Sequence, residues 1–137
     1  MKGRVLGIDF GLKRVGIAVC DPDRSMVFPR PVLRVSSSDQ VYAQVKKICE
    51  EEHVTALVVG LPYDDLHVEN EQTARVRTFG QKLSDECCLP VFFEDEKYTT
   101  AQAELLLDGS GFDFREKKLS RDSVAAMLIL QSFIERV

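Results

Sequence analysis

The run Ala56-Leu57-Val58-Val59, closed by Gly60-Leu61-Pro62, is apolar at every position. A strand with one wet face alternates polar and apolar residues, and this one does not. Such a run suits a parallel strand covered on both faces, and parallel strands need crossover helices. The flanking sequence supplies them. Ser37 precedes Gln40 with capping-box spacing, and Val41, Val45, Ile48 and Cys49 then form a helical stripe. After the run, a second helix is expected from about Glu69, with Val76, Phe79, Leu83 and Cys87 on one side. Val91 to Phe93 follows as a further short strand.

The N-terminal third has a different rhythm. Arg4 to Ile8 and Val15 to Cys20 read as two apolar strands around a Leu12-Lys13-Arg14 turn. Val27 to Val35 reads as a third strand, and Pro29 and Pro31 place it at a sheet edge. Beyond Glu96, Thr99 opens a short helix to Asp108, and 109–118 reads as a loop. Ser120 caps a last helix with Ala125, Ala126, Ile129 and Phe133. The order β-β-β-α-β-α-β-α-α predicts an α/β fold. Its mixed five-stranded sheet has the first three strands antiparallel and helices flanking it, in the RNase H-like arrangement. At 137 residues the expectation is one domain, 1–137.

Composition excludes several classes. Apolar residues make up 45% and charged residues 29%, ordinary for a globular domain. No 18-residue apolar run is present, so no membrane span is expected. The N-terminal apolar stretch is too short for a signal peptide and is broken by Asp9. A cytoplasmic protein is therefore expected. Cys20, Cys49, Cys87 and Cys88 form no C-x-x-C pair, which argues against a zinc site or a disulfide framework. The net charge of -4 disfavours a nucleic-acid coat protein but not an enzyme with one basic face.

Three acids occupy costly places. Asp9 ends an apolar strand, where a carboxylate needs a partner or a metal. Glu94-Asp95-Glu96 close the last strand, and Asp122 lies in a helix first turn on the face of Ala126, Ile129 and Phe133. Asp9 could instead be a turn residue, the acidic run a solvated strand end, and Asp122 a helix-dipole partner. In the expected sheet, however, Asp9 and Glu96 would converge near Asp122. Oxygen ligands of this kind suit hard divalent cations, and such ions support phosphodiester hydrolysis. Lys13, Arg14, Lys97, Arg115, Lys117, Lys118 and Arg121 are candidate phosphate contacts, each of which could equally be a solvated surface charge. Gly7-x-Asp9-x-Gly11 also fits the phosphate motif of actin-like ATPases. Those need two such domains, and this length supplies one.

Four ordered segments carry a family resemblance. They are Leu6-Gly7-Ile8-Asp9-Phe10-Gly11 running on to Val19, and Val58-Val59-Gly60-Leu61-Pro62. The third is Asp95-Glu96-Lys97-Tyr98-Thr99-Thr100-Ala101-Gln102-Ala103, and the fourth is Lys117-Lys118 with Asp122-Ser123-Val124-Ala125-Ala126. Together they resemble the YqgF family, also called RuvX, over nearly the whole chain. The resemblance implies an RNase H-like fold related to the RuvC Holliday-junction resolvases, and a nuclease maturing the 5′ end of pre-16S rRNA in ribosome biogenesis. It implies Asp9, Glu96 and Asp122 as catalytic and metal-binding acids with Mg²⁺ or Mn²⁺, and Asp95 as a further candidate. It implies structured RNA, precursor rRNA or ribosomal particles as partners. Branched DNA, or a non-catalytic ribosome-binding role, remain alternatives. Two departures stand. Lys97 replaces the usual Arg, keeping the charge but not the planar fork. Tyr63 to Asn70 brings Asp64 and Asp65 where the family has a Gly-rich stretch.

Overall fold

The computed structural model describes residues 3–11, 13–62, 68–95 and 121–136. Its elements are β1 (Arg4–Phe10), β2 (Arg14–Cys20), β3 (Val27–Arg34), α1 (Ser38–Glu52), β4 (Val54–Leu61), α2 (Glu71–Cys87), β5 (Val91–Asp95) and α3 (Arg121–Arg136). The expected helix from Thr99, the 109–118 loop, the Ser120 cap, the Tyr63–His67 stretch, Glu96, Lys97, Arg115, Lys117 and Lys118 lie outside the described residues.

The five strands form one sheet in the order β3-β2-β1-β4-β5. β2 runs antiparallel to both β1 and β3, while β4 is parallel to β1 and β5. The expected mixed sheet and edge position of β3 are therefore both present. The apolar run is longer than expected and occupies an interior strand of the sheet. Its residues alternate between two cores. Leu57, Val59 and Leu61 join Leu6, Ile8 and Ile17 beneath α1 and α2. Ala56 and Val58 join Val5, Ala18 and Cys20 beneath α3. Both faces are covered, which is why no position of the run can be polar.

The caps explain the helix starts. Ser37 accepts a 3.2 Å hydrogen bond from the Gln40 N–H. The second helix begins at Glu71 and not Glu69, because Asn70 accepts from the Gln72 and Thr73 N–H groups. The Thr73 hydroxyl donates to the Pro62 carbonyl, tying that helix start to the end of β4.

β1 also runs further than expected. Asp9 pairs with Gly16 and Phe10 with Val15, and the Phe10 ring stacks on Phe79 with centroids 4.0 Å apart. Asp9 thus stands inside a paired strand, which overturns its reading as a turn residue. None of the described helices is long and apolar enough to cross a membrane.

Candidate active site

The face on which each acid stands follows from the strand alternation. Asp9 is two residues beyond Gly7, so the two share a face. A Cβ built on Gly7 would lie 2.8 Å from both the Ala126 carbonyl oxygen and the Leu130 Cβ, so this face meets α3. Gly16, the cross-strand partner of Asp9, faces the same way. Its Cβ would lie 1.9 Å from the Asp122 carbonyl oxygen. Only glycine allows this approach. The first turn of α3 therefore rests on β2 at the residue paired with Asp9. Two acids separated by 113 positions in the chain share one end of one sheet face.

The hairpin between β1 and β2 brings charge to the same end. The Gly11 N–H donates to the Arg14 carbonyl at 3.0 Å. Arg14 Nε lies 3.2 Å from Asp122 Oδ2, with the Arg14 side chain 59% and the Asp122 side chain 27% exposed. Lys13 and Arg121 are exposed beside them. The structure thus brings together Asp9, Asp122, Lys13, Arg14 and Arg121 among the residues singled out from sequence.

The acidic run on β5 divides. Glu94 lies on the α3 side and is 5% exposed. It accepts hydrogen bonds from Arg136 Nε at 2.8 and 3.1 Å and from the Ser132 hydroxyl at 3.4 Å. Its partners are structural. Asp95 pairs in register with Leu61, whose side chain belongs to the α1–α2 core, so Asp95 stands on the face opposite Asp9. Among the described residues, no three His, Cys, Asp or Glu side chains group to hold a metal. Glu96 lies outside them. The donors at this end of the sheet, among the described residues, are the carboxylates of Asp9 on a strand and Asp122 in a helix first turn, and not His or Cys. That oxygen set fits Mg²⁺ or Mn²⁺ and not a softer ion.

Gly16 and Ser123 lie inside the segments that carry the family resemblance, but they have no titratable group and the sequence assigns them no role. Gly16 sits in a run of β-branched residues, and Ser123 follows Asp122 as an ordinary helical residue. Neither type signals chemistry. Their contacts with α3 and β3 exist only in the folded chain.

A mixed β3-β2-β1-β4-β5 sheet, with an acid on the central strand and another in the first turn of the helix packed over it, is an RNase H-like fold, and its family makes the chain a phosphodiester-cleaving hydrolase. Two solved structures agree on the fold. The Thermus thermophilus RuvC in complex with Holliday junction substrate superposes with a TM-score of 0.63 at 16% identity, covering 97% of this chain and 94% of that one. The fowlpox virus resolvase in complex with Holliday junction DNA gives 0.65 at 9%, with 97% of each covered. The family model described as "RuvX: Holliday junction resolvase" matches residues 3–136, and the chain belongs to this family. A relative named "Putative pre-16S rRNA nuclease" from Maridesulfovibrio salexigens is 36% identical over 133 residues, covering 97% of this chain and 98% of its own. One of the same name from Nitratidesulfovibrio vulgaris is 37% identical, covering 96% and 92%.

Proposed function

We propose that residues 1–137 form a single cytoplasmic nuclease domain that processes the 5′ end of precursor 16S rRNA with a divalent ion. Asp9, Glu96 and Asp122 are its catalytic and metal-binding acids. The observation that supports this reading is that the first turn of α3, which bears Asp122, seats on Gly16, the cross-strand partner of Asp9. The names of the relatives support precursor rRNA as the substrate.

In this reading Asp9, Glu96 and Asp122 hold Mg²⁺ or Mn²⁺, which supplies Lewis acidity toward the attacking water and the leaving oxygen. The chain's other residues bind and orient. Lys13, Arg14 and Arg121 grip phosphates at this sheet end, with Lys97, Lys117 and Lys118 completing the basic set. The acids would hold the ion, and the basic residues would hold the scissile phosphate against it. Water adds its oxygen to phosphorus as the 3′ oxygen departs, leaving a 3′-hydroxyl and a 5′-phosphate.

The test is cleavage of a precursor 16S rRNA fragment by wild type and Asp9→Asn. The expected result is a loss of roughly 10²-fold or more, since the substitution removes a charge from the ion's ligand set. Equal rates would overturn the assignment of Asp9. The description of the family favours a second reading, resolution of four-way DNA junctions. That activity cuts two opposed strands and needs a symmetric dimer. Paired symmetric nicks in a junction, with no cleavage of precursor rRNA, would replace the first reading with the second. Mg²⁺-independent RNA binding without cleavage of either substrate would leave a binding factor.

A further inference from the structure

The pairing of β2 with β3 breaks directly beneath the start of α3. Val15 pairs with Leu33 but Ile17 pairs with Arg30, so two steps along β2 match three along β3. The extra residue is a β-bulge opposite Gly16, and it falls where Pro31 has no N–H to offer the ladder. At this irregularity the Arg30 carbonyl accepts a 2.9 Å hydrogen bond from the Ser123 hydroxyl, across 93 positions of sequence. Ser123 is 2% exposed.

The two contacts restrain α3 in different directions. Gly16 sets how closely the Asp122 backbone approaches the sheet. The bond from Ser123 to the edge strand sets where that turn sits along the sheet, and hence where Asp122 stands relative to Asp9. We infer that Ser123 is a positioning residue: its hydroxyl, anchored on the β3 bulge, holds Asp122 in register with Asp9. This rests on the metal-dependent reading above. A packing role alone would be met by any small residue. The hydroxyl both satisfies the Arg30 carbonyl at the bulge and fixes the lateral position of this turn, and groups that orient ligands typically change metal affinity by about 10–100-fold when removed.

The experiment measures Mn²⁺ affinity by calorimetry for wild type, Ser123→Ala, Ser123→Cys and Asp9→Asn, with amide exchange across α3. Removing the hydroxyl should raise the Mn²⁺ dissociation constant about 10-fold, and the weaker thiol donor should fall between. Exchange should quicken in the first turn of α3 and not in β1 or β4. Should Ser123→Ala fail to fold, the Cys variant carries the same comparison. Wild-type Mn²⁺ affinity in the Ser123 variants, with binding lost in Asp9→Asn, would overturn the positioning role and leave the function standing. So would faster exchange spread evenly over the whole sheet with unchanged affinity. A wild-type protein that binds no Mn²⁺ would overturn the functional reading itself, and this inference with it.

Discussion

Replacing Gly16 by Ala should separate catalysis from stability. The new Cβ would stand 1.9 Å from the Asp122 carbonyl oxygen and 2.4 Å from its carbonyl carbon. Both are backbone atoms, so no rotamer change relieves the clash. Reaching even 3.0 Å from 1.9 Å moves the start of α3 by about 1.1 Å. Overpacking of this kind costs about 1–3 kcal/mol, against a domain stability of about 5–15 kcal/mol. The variant therefore stays almost wholly folded. A misplacement of about 1 Å in a catalytic group, by contrast, costs about 10²-fold in rate, or about 2.7 kcal/mol of barrier. Unfolding cannot supply that loss. Gly7→Ala is the control. Its Cβ would meet Ala126 and Leu130 at 2.8 Å, further along α3, so it should lower stability with a much smaller effect on rate. Precursor-RNA cleavage and urea denaturation of both variants decide the matter. Equal rate losses in the two, or a wild-type rate in Gly16→Ala, would refute the seat at Gly16.

Three further outcomes follow from the structure. Glu94→Gln should lower stability in urea by about 1–3 kcal/mol, because it weakens the bifurcated hydrogen bond from the single Arg136 Nε–H to a buried carboxylate; over half the Arg136 side chain is exposed, which keeps the loss at the lower end. Its cleavage rate should stay at wild type, and a lost rate would return Glu94 to the active site. The Ser25 hydroxyl, then the Met26 N–H, hold the Asp21 carboxyl below its ordinary value of 3.8. A depressed pKa stabilises the fold above the unfolded value, and that contribution disappears as pH falls through the lowered one. Wild type should thus lose stability relative to Asp21→Asn only below about pH 4 in acid titrations, and parallel curves would refute it. The hydrogen bond shared with Cys49, helped by Lys46, holds the Cys87 thiol below its ordinary range against the effect of burial. The same bond and burial push Cys49 well up. Iodoacetamide at about pH 8 should label Cys87 before Cys49 in peptide mass spectra, and equal labelling would show that the pair is not coupled.

The local pattern determined the elements and their layers. An all-apolar Ala56–Val59 closed by Gly60-Leu61-Pro62 suits a strand covered on both faces, prolines mark β3 as an edge, and Ser37 places a helix start; all are short-range demands of hydrogen bonding and solvation. Asp9 was legible as unusual because an acid among apolar strand residues is costly wherever it folds. The pairing that makes a site was not. Whether Glu94, Asp95 or neither faces Asp9 depends on strand register and on Arg136, which lies 42 positions away. The roles of Gly16 and Ser123 exist only because a bulge on β3 and a helix from the far end of the chain meet at one point. Composition and periodicity report which surfaces must be buried. The contacts among distant residues are decided by packing in three dimensions, where a displacement of one ångström changes the chemistry.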